Sequence, residues 1–127
     1  MKNLIIVSII IIVSCVGAKN TDNDLFGKWE CYHMEREDGT TKNTDLFSGE
    51  EFEYSCTGLI IELKSNFTGY ESIGELNFKY QKKDSILNLG NRNYLIEKLT
   101  KTELIIINYD PENTNIYNLR QKFKKIK

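Results

Sequence analysis

The sequence predicts an all-β protein built as an eight-stranded antiparallel up-and-down barrel, and three observations favour this fold. Seven tyrosines and six phenylalanines stand among 127 residues, and aromatic residues are enriched in strands. Apolar and polar residues alternate over short runs that turn-forming residues interrupt, which is typical of strands with one buried face. No run has the apolar spacing of an amphipathic helix, and antiparallel strands without a helical layer are expected to close into a barrel.

Each strand is predicted from its own run of alternating residues. The first is 27–34, and the polar, glycine-containing segment 35–50 that follows is predicted to be a long loop. Residues 51–64 are predicted to form one bent strand, because the apolar phase changes at Gly58 and a glycine at a phase change suggests a β-bulge. The remaining predicted strands are 67–72, 76–81, 85–89, 92–98, 104–109 and 115–123.

Length and composition restrict the class of protein. A chain of 14.8 kDa is long enough for one domain and too short for two. A formal net charge of -1 argues against a nucleic-acid-binding protein, and a single histidine excludes a multi-histidine metal site. The carboxylates Glu50, Glu51 and Glu53 lie on a polar stretch and are expected to be solvated rather than catalytic. We therefore predict that the protein is not an enzyme and uses no cofactor.

The N-terminal segment is predicted to be a signal peptide of the lipoprotein type. Residues 4–13 contain Ser8 as their only polar member, and this apolar stretch is too short to span a membrane. A basic start followed by a short apolar core is typical of a secretory signal. Residues 12–15, Ile-Val-Ser-Cys, resemble the bacterial lipobox.

The lipobox resemblance implies that Cys15 becomes the mature N-terminus and carries a thioether-linked diacylglycerol. The partner is then a membrane of the bacterial envelope, and Val16 is not the aspartate associated with inner-membrane retention, which favours the outer membrane or the cell surface. The alternative is ordinary cleavage after Ala18, because residues 16–18 fit a small-x-small site. The predicted organisation is a signal peptide at 1–14, a lipidated N-terminus and tether at 15–24, and a barrel domain at 25–127.

The other two cysteines, Cys31 and Cys56, form an even pair in an oxidising compartment, which favours a disulfide. The alternative is a zinc or copper site made by Cys31, His33 and Cys56, because residues two apart share a strand face and these ligands suit both metals. We predict the disulfide and no metal. If the two cysteine-bearing strands pair as antiparallel neighbours, Cys31 lies opposite Cys56 and Trp29 lies opposite Gly58.

Three segments resemble the lipocalins and the smaller bacterial lipocalin-like lipoproteins. Residues 25–29, Leu-Phe-Gly-Lys-Trp, resemble the Gly-x-Trp signature that opens the first strand. Residues 94–104, Tyr-Leu-Ile-Glu-Lys-Leu-Thr-Lys-Thr-Glu-Leu, resemble the late hairpin of the bacterial group. Residues 117–120, Tyr-Asn-Leu-Arg, resemble its closing strand.

This resemblance implies a lipocalin-like barrel in which Gly27 opens the first strand and Trp29 packs in the closed end. It also implies that a basic residue of the last strand, Arg120, covers the indole ring through a cation–π contact. The chain is shorter than a typical lipocalin and lacks a predicted C-terminal helix, so the cavity is expected to be small or filled by side chains.

Together these observations predict a monomeric, lipid-anchored envelope protein that binds a small apolar or amphipathic ligand. The candidate lining of the pocket is aromatic and aliphatic: Trp29, Phe52, Tyr54, Ile61, Phe78 and Tyr80. The alternative is a barrel with a solid core, which acts as a protein-interaction or inhibitor module through Asp45, Leu46 and Phe47 at the end of the long loop. The basic tail is expected to be solvated, its alternative role being contact with anionic lipid: Arg120, Lys122, Lys124, Lys125 and Lys127.

Overall fold

A computed structural model describes residues 22–109 and 118–127 of the protein, and eight antiparallel strands form a closed barrel in it. The predicted signal peptide at 1–14, Cys15 with most of the predicted tether, and residues 115–117 of the predicted last strand lie outside the described residues. The elements are α1 (Asp22–Leu25), β1 (Gly27–Arg36), β2 (Lys42–Thr44), β3 (Glu51–Glu53), β4 (Ile60–Leu63), β5 (Thr68–Glu71), β6 (Leu76–Lys83), β7 (Ile86–Leu89), β8 (Arg92–Leu99), β9 (Glu103–Asn108) and β10 (Leu119–Ile126). The predicted all-β class and eight-stranded barrel are confirmed.

The barrel closes because β1 pairs with two strands, β10 on one side and β4 on the other. Every other barrel strand pairs with its neighbours along the chain, which gives the up-and-down order. Helix α1 and the turns at 64–67, 84–85 and 100–102 lie at one end of the barrel, here called the helix end. The turns at 72–75 and 90–91 lie at the opposite end, here called the cavity end. Among the described residues, no helix is long and apolar enough to cross a membrane.

The helix end is filled by side chains that exclude water. Trp29 and Leu25 are both fully buried there, and the indole Nε1 of Trp29 donates a hydrogen bond of 2.8 Å to the backbone oxygen of Leu25. This bond satisfies the polar atom of an otherwise apolar side chain and fixes α1 across the end of the barrel. Gly27 has φ +136°, and a Cβ at this position would lie 3.2 Å from Cε of Lys125. Glycine is therefore favoured here by backbone conformation and by space.

Lys125, rather than Arg120, covers the indole ring. In the antiparallel pairing of β1 with β10, Trp29 lies opposite Lys125 and Glu35 lies opposite Arg120. The Nζ atom of Lys125 lies 4.8 Å from the centroid of the Trp29 ring. The contact expected from the last strand is present, but the residue expected to make it was wrong by five positions, because Arg120 lies opposite the far end of β1 from Trp29.

A β-bulge in β1 corrects the predicted face of His33. The pairing with β10 runs from Cys31 opposite Phe123 directly to His33 opposite Lys122, so Tyr32 is the extra residue. After the bulge the alternation is reversed, and Met34 packs against the core instead of His33. His33 is hydrogen-bonded to Glu35, with 2.7 Å between Nε2 and Oε1.

The prediction of one bent strand over 51–64 was wrong. Residues 51–53 form β3, which pairs with β2 in a separate two-stranded hairpin outside the barrel, and only residues 60–63 belong to the barrel as β4. The chain turns between them, and Gly58 has φ +87°. Trp29 therefore lies opposite Ile61 rather than Gly58. The segment 35–50 is likewise shorter as a loop than predicted, since β1 extends to Arg36 and β2 lies within it.

The predicted disulfide between Cys31 and Cys56 is present despite this different register. The sulfur atoms are bonded, and the two Cα atoms lie 5.8 Å apart. Cys56 belongs to the turn before β4 rather than to a strand, so the bond ties the base of the hairpin to the middle of β1. Both sulfurs are consumed by the bond, so the alternative metal site with His33 has no thiolate ligands.

Candidate functional site

A cavity of about 540 Å³ occupies the cavity end of the barrel. Small-molecule sites typically measure ~300–1,000 Å³ and have mostly apolar walls. Here the apolar and aromatic lining comes from β4, β6, β7, β8 and the turn before β4: Leu59, Ile61, Leu76, Phe78, Tyr80, Leu89 and Tyr94. The cavity therefore has the size and the wall chemistry of a site for one small molecule.

The structure brings together three of the six residues predicted to line a pocket, namely Ile61, Phe78 and Tyr80. Trp29 is fully buried at the helix end and is not part of the lining. Phe52 lies on β3, outside the barrel, and is 45% exposed. Tyr54 follows β3, and its hydroxyl accepts hydrogen bonds from Arg36 and Asn43 near the base of the hairpin.

Gly69 makes room for one wall of the cavity. It lies directly opposite Phe78 in the pairing of β5 with β6. A Cβ on Gly69 would lie 2.6 Å from Cζ of Phe78 and 3.0 Å from the backbone oxygen of Glu62, and it would be closer still to Cε1 of Phe78. The ring of Phe78 thus lies over the backbone of Gly69, and any larger residue must displace it. Because Phe78 lines the cavity, we infer that Gly69 sets its shape.

Three polar side chains at the cavity were missed by the sequence analysis. Arg92, Tyr94 and Gln121 border it, and within the described part of the chain their side chains have no hydrogen-bond or ion-pair partner. All three carry N–H or O–H donors. Tyr94 is buried at 8% exposure, and its place in the alternating run 92–98 is the one sequence signal that could have identified it. The inward position of Gln121 depends on the register of β10 against β1, which the sequence did not reveal.

The carboxylate of Glu71 also borders the cavity and limits the charge of a ligand. Lys79 borders it as well, so the charged residues around the cavity are two cations and one anion. This balance suits a neutral molecule or a single negative charge better than a multiply charged anion.

The hairpin formed by β2 and β3 presents two apolar side chains to solvent. Leu46 is 96% exposed and Phe47 is 101% exposed, at the turn between the two strands. The carboxylate of Asp45 orders this turn, because its Oδ1 accepts hydrogen bonds from the backbone N–H groups of Phe47 and Ser48 at 2.7 and 3.1 Å. The end of the predicted loop is therefore an ordered apolar tip.

A charged network covers the outer face of the strands near the cavity end. The guanidinium of Arg120 donates hydrogen bonds to both Glu97 and Glu35, the latter at 2.7 Å, and Lys122 lies 3.7 Å from Glu35. Burial acts to raise the pKa of Glu35, but hydrogen bonds from Arg120 and His33 outweigh it and hold this pKa below 4.5. Arg120 thus has a structural role on the outside of the barrel.

A second polar contact stabilises the bulge in β1. The hydroxyl of Tyr32 donates a hydrogen bond of 2.6 Å to Glu103, which also accepts one from Lys98 at 2.6 Å. The hydrogen bond to the Glu103 carboxylate raises the pKa of Tyr32 to about 12. The bulged residue is therefore held by its side chain where the β-ladder is interrupted.

No protein-family profile, curated protein or solved structure matches the chain. The lipocalin-like resemblance therefore stays a prediction that rests on residues 25–29, 94–104 and 117–120.

Proposed function

We propose that the protein is a lipid-anchored protein of the bacterial envelope whose barrel binds one small amphipathic molecule. The observation that carries this proposal is the cavity of about 540 Å³, which combines an apolar wall with three donor side chains that have no partner among the described residues. An empty apolar site of this size would lose many dispersion contacts, and a ligand would restore them.

The positions of the lining residues indicate how such a ligand binds. Its apolar body packs against Phe78 and Leu89, and an oxygen-bearing head group accepts hydrogen bonds from Tyr94, Gln121 and Arg92. A single carboxylate fits this donor set and the balance of charges around the cavity. The alternative, a barrel filled with side chains, is less well supported because the cavity is as large as many ligand sites.

The anchor is proposed from the lipobox resemblance at Cys15, and the barrel is compatible with the lipocalin-like resemblance. Cleavage before Cys15 leaves a tether of up to ten residues before the barrel domain. A diacylglycerol with a further acyl chain gives stable membrane attachment, whereas a single chain gives only marginal binding. We propose that the anchor holds the protein in the outer membrane or at the cell surface.

Native mass spectrometry of protein purified gently from membranes tests the ligand. We expect the protein to carry an additional mass in the native spectrum. Extraction with organic solvent should release this mass as one small molecule. Leu89→Trp fills the cavity and should abolish the additional mass, whereas Leu46→Trp adds the same side chain at the exposed tip and should retain it. Wild-type protein without the mass, or equal masses in both variants, would contradict the proposed site.

A second candidate function, a docking site for a protein partner, is favoured by the exposure of Leu46 and Phe47. Contiguous apolar surface in water marks interaction sites more often than isolated apolar residues do, and here two large apolar side chains are adjacent and fully exposed. Photo-crosslinking from position 47 in intact cells tests this function. A single partner that is crosslinked in wild-type protein and lost in Leu46→Ser supports it, and the absence of any crosslink contradicts it.

A further inference from the structure

The two ends of the barrel carry opposite charge. Six lysines lie at the helix end, in or beside its turns, next to α1 or at the C-terminus: Lys64, Lys82, Lys83, Lys101, Lys125 and Lys127. Four carboxylates lie at the same end: Asp22, Asp24, Asp84 and Glu103. The formal balance is therefore +2, although the chain as a whole has a net charge of -1. The side chains of Lys64, Lys83 and Lys101 have no ion-pair partner among the residues that the structure describes.

The cavity end and its hairpin are strongly acidic. Eight carboxylates lie there: Glu37, Asp38, Asp45, Glu50, Glu51, Glu53, Glu71 and Glu75. They stand against three cations: Arg36, Lys42 and Arg92. The formal balance of -5 would repel an anionic surface. Of the two ends, only the helix end therefore has a charge that favours its approach to an anionic surface.

An aromatic side chain accompanies the lysines of the helix end. Phe67 lies in the turn between β4 and β5, is 48% exposed, and has φ +65°. Its ring centroid lies 6.1 Å from that of Phe26 and 5.7 Å from that of Tyr80, so the exposed ring is supported by the barrel. A half-exposed aromatic ring beside lysines suits the interface between water and lipid head groups.

The chain that precedes the structure also joins the barrel at this end. Residues 1–21 continue directly into α1, and they include the apolar residues 4–13 and the lipobox-like Cys15. Any membrane attachment through this segment therefore holds the helix end within a few residues of the bilayer. Two net charges attract a protein only weakly, but a tether raises the effective concentration to roughly millimolar. Under these conditions a weak attraction is sufficient to orient the domain.

We propose that the helix end of the barrel is a docking surface for the anionic head groups of the membrane that carries the anchor. Lys64, Lys83 and Lys101 contact lipid phosphates and Phe67 lies at the level of the head groups. The cavity end and the Leu46–Phe47 tip then face away from this membrane. The proposal rests on the anchor of the proposed function and adds the orientation of the domain, so that a ligand enters from the side facing away from the lipid.

Lysine footprinting on vesicles tests the orientation with the full-length protein. The protein is expressed in a bacterium, purified from the membrane fraction, and reconstituted into phosphatidylcholine vesicles with and without phosphatidylglycerol. A membrane-impermeant amine reagent then labels exposed lysines, and mass spectrometry follows each site. We expect Lys64, Lys83 and Lys101 to react several-fold more slowly when phosphatidylglycerol is present, while Lys42 at the cavity end reacts at an unchanged rate. High salt should remove the difference.

Two variants with the same change of charge provide the control. Lys64→Glu should weaken the protection of Lys83 and Lys101, whereas Lys42→Glu should leave it intact. Equal reaction rates at both ends of the barrel in anionic vesicles would overturn the orientation while leaving the anchor standing. Recovery of the protein only from the soluble fraction would overturn the anchor and the orientation together.

Discussion

Lys125 and Trp29 face each other across the β1–β10 pair, with the ammonium nitrogen 4.8 Å from the centroid of the indole ring. The same nitrogen donates a hydrogen bond of 2.8 Å to the backbone oxygen of Asp24 in α1. Burial lowers the pKa of Lys125, although the carboxylate of Asp24 acts in the opposite direction. One side chain therefore joins the first strand, the last strand and the helix that covers the end of the barrel.

Replacing Trp29 should destabilise the protein more than replacing Lys125. Trp29→Ala removes a fully buried aromatic side chain and should cost ~3–5 kcal/mol in the free energy of unfolding. Lys125→Met keeps an aliphatic chain but removes the charge, and should cost ~1–3 kcal/mol through the lost cation–π contact and the lost hydrogen bond to Asp24. Denaturant titrations measure both values. A loss below ~1 kcal/mol for Trp29→Ala would contradict its place in the core.

The disulfide is predicted to stabilise the domain chiefly by restricting the unfolded chain. Cys31 and Cys56 are 25 residues apart, for which the chain-entropy model gives ~3–4 kcal/mol. The double variant Cys31→Ser with Cys56→Ser should lose about this much stability in a denaturant titration. Thiol labelling of the unreduced, denatured wild-type protein should modify neither cysteine. Labelling of both would show that the bond is absent.

Gly69→Ala should reduce both stability and ligand binding. The new methyl group must displace the ring of Phe78, and such overpacking typically costs ~1–3 kcal/mol. Because the displaced ring lines the cavity, the amount of co-purified ligand should also decrease. Gly39→Ala is the control, since this position is left-handed, with φ +89°, but has open space around it. The prediction fails if Gly69→Ala binds as much ligand as Gly39→Ala.

Acid should weaken the network around Glu35. Its pKa is held below 4.5 in the folded protein, so its contribution to stability is present above the unfolded value and is lost as the pH falls through the folded value. The difference in unfolding free energy between wild-type protein and Glu35→Gln should therefore shrink below about pH 4.5. Thermal melts across this pH range measure it, with Glu50→Gln at the exposed tip as the control for a lost charge. A difference that stays constant as the pH falls would contradict the assigned interaction.

The sequence was informative wherever local alternation and turn residues decide the structure. Strands β6 to β9 and the turn at Gly90 follow from such patterns, because each hairpin pairs residues close in the chain. The alternation of apolar and polar residues around Phe52 is compatible with a barrel strand and with a strand of a separate hairpin. The sequence therefore could not show that β3 pairs with β2. No glycine marks the bulge at Tyr32, and its position depends on pairing with a strand about ninety residues away.

The cavity depends on long-range packing in the same way. Phe78 and Tyr80 line the cavity because their predicted strand was correctly placed. Phe52, Tyr54 and Ile61 were predicted on one strand, of which only residues 60–63 belong to the barrel, so Ile61 alone of these three lines the cavity. The choice of Lys125 over Arg120 depends on the register of β10, which pairs with the opposite end of the chain. The alternation of side chains predicts whether a residue points into the barrel or out of it. It does not predict how much of the interior the inward-pointing side chains leave empty.

A titration with cis-parinaric acid, a fluorescent amphiphile with one carboxylate, tests the central claim most directly. The protein is used from Asp22 onward, which includes all the described strands and the disulfide. Wild-type protein and Leu46→Trp should bind one equivalent saturably, Arg92→Ala should bind about tenfold more weakly, and Leu89→Trp should not bind. Saturable binding that is unchanged in Leu89→Trp, or none in the wild-type protein, would contradict the assignment of the cavity as the ligand site.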